Sequence, residues 1–109
     1  MYGLYIYLYN SIAKFPKRDR YTLGVKIEQN TLELLELLLL AESKDGASKL
    51  LILNKADIHI KILKLLVRAS HEMGALPEYR YIEIEGKLLE IGKMLGGWIK
   101  QTKLKRLPD

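Results

Sequence analysis

The residues best suited to catalysis are few and lie far apart. The chain has no cysteine and two histidines, His59 and His71, which one predicted helix would separate by roughly 18 Å at 1.5 Å per residue. They cannot share a metal ion or a reacting atom. We expect His59 to be partly buried and hydrogen-bonded beside an apolar face, and His71 to be solvated. The sequence therefore predicts no enzyme, no catalytic residue, no metal site and no cofactor.

The glycine-rich stretch from Gly92 to Trp98 is a poor match to a phosphate-binding loop. Such a loop places Gly-Lys-Ser/Thr at a turn between a strand and a helix, whereas this stretch continues a helical pattern. Each glycine inside a helix costs about 1 kcal/mol relative to alanine. We therefore expect these glycines to let another helix approach closely, with Trp98 as a packing anchor.

Positive charge is the remaining chemical feature. The 18 Lys and Arg residues exceed the 13 Asp and Glu residues, which gives a formal net charge of +5. Residues 14–26 carry five basic side chains against one acidic, and residues 99–109 carry four against one. Residues 27–98 carry nine basic against eleven acidic side chains. The whole excess therefore lies in two short clusters.

Clustered cations bind phosphate backbones with an affinity that falls steeply with salt and without reading bases. In an up-down bundle, Lys64, Arg68 and Arg80 would approach the first cluster, while the C-terminal cluster would leave from the opposite end. Tyr21 and Phe15 would stack on bases or pack in the core. The alternative is charge that only aids solubility. The candidate nucleic-acid-binding residues are Lys14, Lys17, Arg18, Arg20, Lys26, Lys64, Arg68, Lys100, Lys103, Lys105 and Arg106.

Three breaks divide the chain into four helical segments. Residues 15–17, 43–48 and 74–77 hold the Gly, Pro, Ser and Asp residues that end and begin helices, and Gly74 fits a helix C-cap. Isoleucine alternations at 58–62 and 81–85 resemble strands locally, but they lie in segments far longer than strands. We predict an all-α protein, an antiparallel up-down four-helix bundle.

The sequence also predicts one domain over residues 1–109, with a short basic C-terminal tail from about residue 101. No stretch is long and apolar enough to span a membrane, and the start lacks the features of a signal peptide. The absence of cysteine fits a reducing cytoplasm.

The second segment, residues 20–42, holds more leucine than one bundle face can bury. Leu37, Leu39 and Leu40 lie outside its narrow apolar seam. We expect them to form subunit contacts in a homo-oligomer. The alternative is that the tyrosine-rich first helix covers them.

Three stretches of the chain carry a family resemblance over about residues 10–102. They are Phe15-Pro16-Lys17 through Arg20-Tyr21-Thr22-Leu23-Gly24, then Leu66-Val67-Arg68-Ala69, and finally Ile91-Gly92-Lys93-Met94-Leu95-Gly96-Gly97-Trp98. They resemble the four-helix-bundle superfamily that contains Avd, the accessory variability determinant of diversity-generating retroelements. The same superfamily contains the intervening-sequence proteins encoded within large-subunit ribosomal RNA genes.

The resemblance implies a ring-like homopentamer of four-helix protomers with a basic surface. For the Avd branch it also implies a non-catalytic accessory protein that binds RNA or DNA and partners a reverse transcriptase. The alternative is an intervening-sequence-type or other structural four-helix-bundle oligomer with no direct nucleic-acid role. The short second connection and the modest charge leave both branches open.

Overall fold

The computed structural model describes residues 1–106, and all of its regular structure there is helical. Four long helices form an elongated bundle of 55 × 21 × 19 Å, in which α3 packs on α4, α4 packs on α5, and α1 contacts both α3 and α5. The predicted all-α four-helix bundle is confirmed. The elements are α1 (Tyr2–Ile12), the single-turn α2 (Lys17–Arg20), α3 (Leu23–Glu42), α4 (Gly46–Glu72) and α5 (Glu78–Arg106).

The connection between α4 and α5 follows from one glycine. Gly74 has a φ of +83°, a left-handed conformation that costs glycine little because it has no Cβ. The amides of Ala75 and Leu76 then donate to the Ser70 carbonyl at 2.9 and 3.1 Å. Gly74 ends α4 as predicted, directly after the capping residue Met73, and the sharp turn directs α5 back along α4.

The core runs the length of the bundle and closes at one end with residues from the connections. Phe15 precedes α2, while Ala75 and Leu76 follow α4, and all three are buried. Burying a side chain as large as that of Phe15 or Leu76 contributes about 1.5–3 kcal/mol. Side chains from the four long helices that are at most 2% exposed include Leu8, Ile27, Leu34, Leu63, Ile84 and Leu88.

The glycines of α5 do not provide a close helix contact within the described chain. A Cβ added at Gly92, Gly96 or Gly97 would meet nothing within 4 Å, so the expected approach of another helix is absent there. The close contact lies elsewhere, at Gly24, where an added Cβ would sit 2.7 Å from the Cγ2 atom of Ile12. This glycine lets the start of α3 pack directly on the end of α1.

Two of the three α3 leucines predicted to form subunit contacts remain exposed. Leu37 is half-buried, Leu39 is 67% exposed and Leu40 is 45% exposed. The alternative that α1 buries them is wrong, because α1 has 11 residues and α3 has 20. Their role in subunit contact stays a prediction.

The last helix continues further than its sequence suggests. α5 runs through Arg106, so the residues expected to begin a basic tail are helical. No helix among residues 1–106 combines the length and apolarity needed to cross a membrane.

Candidate nucleic-acid interface

The turn formed by α2 presents positive charge and is anchored to the core of the bundle. Pro16 precedes the helix, and its carbonyl accepts a hydrogen bond from the Arg20 amide at 2.9 Å. Phe15 is 2% exposed and inserts into the core, so the expectation that it packs internally is confirmed. Arg20 donates from Nη2 to the Phe15 carbonyl at 3.2 Å. The guanidinium therefore ties the turn to the bundle as well as adding charge.

Four cations around this turn are exposed, lie beyond 4 Å of every carboxylate and, unlike Arg20, donate no side-chain hydrogen bond within the described residues. We call them the cationic turn. A lysine or arginine without an internal partner keeps its full charge and side-chain freedom for an external phosphate. The members of the cationic turn are Lys14, Lys17, Arg18 and Lys26.

The α4–α5 connection lies at the same end of the bundle as the cationic turn. Arg80, near the start of α5, donates from Nη1 to Ser11 Oγ at 3.0 Å near the end of α1. Its guanidinium carbon also lies 5.5 Å from the ring centroids of Tyr7 and Tyr79. The expected topology is therefore present, although Arg80 is already engaged in contacts within the chain.

Lys64 and Arg68 line a groove of their own between α4 and α5, together with Tyr81 and Glu85. Arg68 Nε lies 3.0 Å from Glu72 Oε1, and this hydrogen bond to a carboxylate raises the pKa of the Arg68 guanidinium. An exposed pair of this kind contributes little to stability. It does neutralise the local charge that Arg68 would otherwise present.

The C-terminal cluster lies at the opposite end of the bundle. Lys100, Lys103 and Lys105 are exposed on α5, and Lys105 shares a groove with Lys49 from the start of α4. The Lys49 ammonium lies 5.0 Å from the Trp98 ring centroid. The side chain of Arg106 and residues 107–109 lie outside the described part of the structure.

Lys49 is the residue that the charge pattern misses. It lies in the slightly acidic middle of the sequence, yet the antiparallel arrangement brings it beside the end of α5. The positive end of the α4 dipole adds to the same potential. The position of Lys49 beside Lys105 could have been inferred only from the fact that the start of α4 lies next to the end of α5.

The two histidines have different environments. His59 Nδ1 lies 2.6 Å from Asn30 Oδ1, and Asn30 Nδ2 donates to the His59 carbonyl at 2.8 Å. The prediction of a hydrogen-bonded, partly buried His59 is confirmed. The prediction of a solvated His71 is wrong, because the α4–α5 turn stacks Tyr81 on its ring at 4.4 Å and Leu76 O lies 3.1 Å from Nδ1.

The described chain is thus a small helical-bundle protein with one organised, cationic end. The family model of the bAvd-like family matches residues 1–102. The chain belongs to the bAvd-like family, as the sequence resemblance indicates. No curated protein and no solved structure matches it.

Proposed function

We propose that this protein is a non-catalytic accessory subunit of a diversity-generating retroelement that binds RNA or DNA and partners the element's reverse transcriptase. Membership of the bAvd-like family supports the accessory role. The observation that carries the nucleic-acid part is the cationic turn, four exposed cations without an ion pair in the described chain, two of them on the one-turn helix α2, which the buried Phe15 anchors.

Homo-oligomerisation strengthens such binding. The exposed Leu39 and Leu40, with the half-buried Leu37, support burial between subunits. In a pentameric ring, each subunit presents its own cationic turn, and one nucleic-acid strand contacts several turns at once. Linked sites of this kind raise the apparent affinity without any new contact.

Protein contact alone is the second candidate function, as in a structural oligomer of the intervening-sequence type. Large apolar side chains are exposed on several helices, among them Leu39, Leu65 and Met94 at 67%, 66% and 74%. Such surfaces favour protein partners. In this case the cations serve solvation only.

A salt titration with matched charge variants separates the two candidates. The double variant Lys17→Gln/Arg18→Gln removes two cations of the turn. The control Lys61→Gln/Lys87→Gln removes the same charge where each lysine is paired with a carboxylate one helical turn away, at 3.1 and 3.5 Å. We expect the turn variant to bind RNA and DNA at least about tenfold more weakly at low salt. The control variant should bind nearly as wild type does.

Two outcomes contradict the nucleic-acid role. One is the absence of wild-type binding at low salt, and the other is equal loss in the turn and control variants. The reverse-transcriptase role is tested by co-purifying the protein with the reverse transcriptase encoded beside its gene. No association would contradict that part of the proposal.

A further inference from the structure

A groove lies beside the cationic turn, where the end of α1 meets α2 and the start of α3. Its volume is about 330 Å³. The buried Ile12 and Gly24 form its floor, and their close packing leaves no side chain to fill it. The half-exposed Val25 adds a further apolar surface. The groove is therefore shallow, apolar and open to solvent.

Two tyrosines line this groove and keep most of their surface exposed. Tyr9 on α1 is 57% exposed and Tyr21 after α2 is 65% exposed. Neither hydroxyl has a hydrogen-bond partner among the described residues. Tyr7, in contrast, has two cations near its ring, and Tyr81 is stacked on a histidine. Tyr9 makes only a tilted contact with Tyr5, at 6.5 Å between ring centroids. Tyr9 and Tyr21 therefore both keep exposed aromatic surface on which a base could stack.

Charge is distributed unevenly around the groove. Arg20 lines it on the α2 side, next to Lys17 and Arg18, and Glu28 lines it on the α3 side. Glu28 Oε1 accepts a hydrogen bond from Tyr5 at 3.0 Å, which holds this carboxylate in place. A polyanion is attracted to the α2 side and repelled from Glu28, so its backbone would follow α2.

We propose that this groove receives an unstacked base of a single-stranded nucleic acid, which stacks on Tyr9 and Tyr21 while the adjacent phosphates bind along α2. The proposal rests on the nucleic-acid binding proposed above. It specifies that the α2 end of the bundle binds single strands. Aromatic side chains beside a cationic path are the means by which single strands are bound without sequence readout. A base inside a duplex is already stacked and paired, and extruding it costs a few kcal/mol, so a single strand supplies such a base more readily.

The test uses single-stranded oligonucleotides that carry 2-aminopurine, whose fluorescence is quenched when the base stacks. Wild type should quench this fluorescence and bind the single strand more tightly than a duplex of equal length. Because one base stack changes affinity by about fivefold or more, Tyr9→Leu and Tyr21→Leu should each weaken single-strand binding to that extent. Both should reduce the quenching and leave duplex binding unchanged.

Tyr2→Leu is the matched control, because Tyr2 is 74% exposed and does not line the groove. It should quench and bind as wild type does. Leucine keeps the apolar character of these exposed positions, and thermal unfolding of each variant checks that the bundle is intact.

The outcomes separate this inference from the function on which it rests. Salt-dependent binding with no quenching, or with equal effects of all three leucine variants, would overturn the groove while leaving nucleic-acid binding in place. Equal wild-type affinity for single strand and duplex would overturn it as well. No binding of either form at low salt would overturn both proposals.

Discussion

The two ends of the bundle carry similar numbers of cations but organise them differently. At the α2 end, Lys17 and Arg18 stand on a turn whose base is the buried Phe15, beside a groove with two exposed tyrosines. At the opposite end, Lys100 and Lys103 lie on the last turns of α5, and Lys49 lies over the ring of Trp98. Cations alone attract the phosphates of a nucleic acid. Cations beside exposed aromatic side chains, on a turn anchored in the core, can also hold its nucleobases by stacking.

The largest expected difference between the two ends is in the free energy of unfolding that is lost when the aromatic residue at each end is replaced by alanine. Phe15→Ala removes the anchor of the cationic turn and leaves a cavity in the core, so it should lower the free energy of unfolding by about 3–5 kcal/mol. Trp98→Ala should cost less, because Trp98 is only half-buried. Urea unfolding monitored by circular dichroism measures both. A smaller loss at Phe15 than at Trp98 would contradict the anchored turn.

The same glycine substitution should have opposite effects at the two ends. Gly24→Ala forces a Cβ against the buried Ile12, which should destabilise the bundle by about 1–3 kcal/mol. Gly96→Ala, in open space within α5, should stabilise it by about 0.5–1 kcal/mol because alanine favours the helix. Thermal and urea unfolding of the two variants report the signs. Destabilisation by Gly96→Ala would indicate that this glycine already serves a contact between subunits.

The smallest effect concerns Tyr5, whose hydroxyl donates to Glu28 on the α3 side of the proposed base groove. The hydrogen bond to Glu28 raises the pKa of the Tyr5 hydroxyl above its ordinary value of about 10. A raised folded-state pKa means that the bond stabilises the fold fully below about pH 10 and is lost as pH rises through the folded-state pKa. Wild type should therefore lose a small advantage over Tyr5→Phe as the pH rises above about 10.

Urea unfolding of both proteins between pH 8 and pH 11 checks this expectation. Tyr2→Phe is the control, since the Tyr2 hydroxyl makes no hydrogen bond within the described residues. A constant difference between wild type and Tyr5→Phe across this range would contradict the assignment.

The helices could be predicted because their signals are local. Pro16, the residues around Asp45, and Gly74 break the chain, and hydrophobic periodicity identifies the four main helices between the breaks, although it does not indicate the separate one-turn helix α2. The partial burial of His59, though not its hydrogen bond to Asn30 on α3, followed from the apolar face of its own helix. These properties depend on neighbours in sequence and need no knowledge of packing.

The parts of the site that could not be predicted from the sequence depend on contacts between elements or within a turn. The Arg20 contact with the Phe15 carbonyl, the stack of His71 on Tyr81, and Lys49 beside Lys105 each join different elements or a turn. A periodic pattern shows which face of a helix is polar. It does not show which partner stands opposite that face, and this determines which cations remain available.

The most direct test of the account compares the two ends in one salt titration of single-stranded RNA binding. Lys17→Gln/Arg18→Gln is measured beside Lys100→Gln/Lys103→Gln, which removes the same charge at the opposite end. We predict a larger loss of affinity for the turn variant, with the slope of log affinity against log salt reduced by about 1.4 per bound subunit. Equal losses at both ends, or a larger loss at the α5 end, would contradict the claim that the α2 end is the nucleic-acid interface.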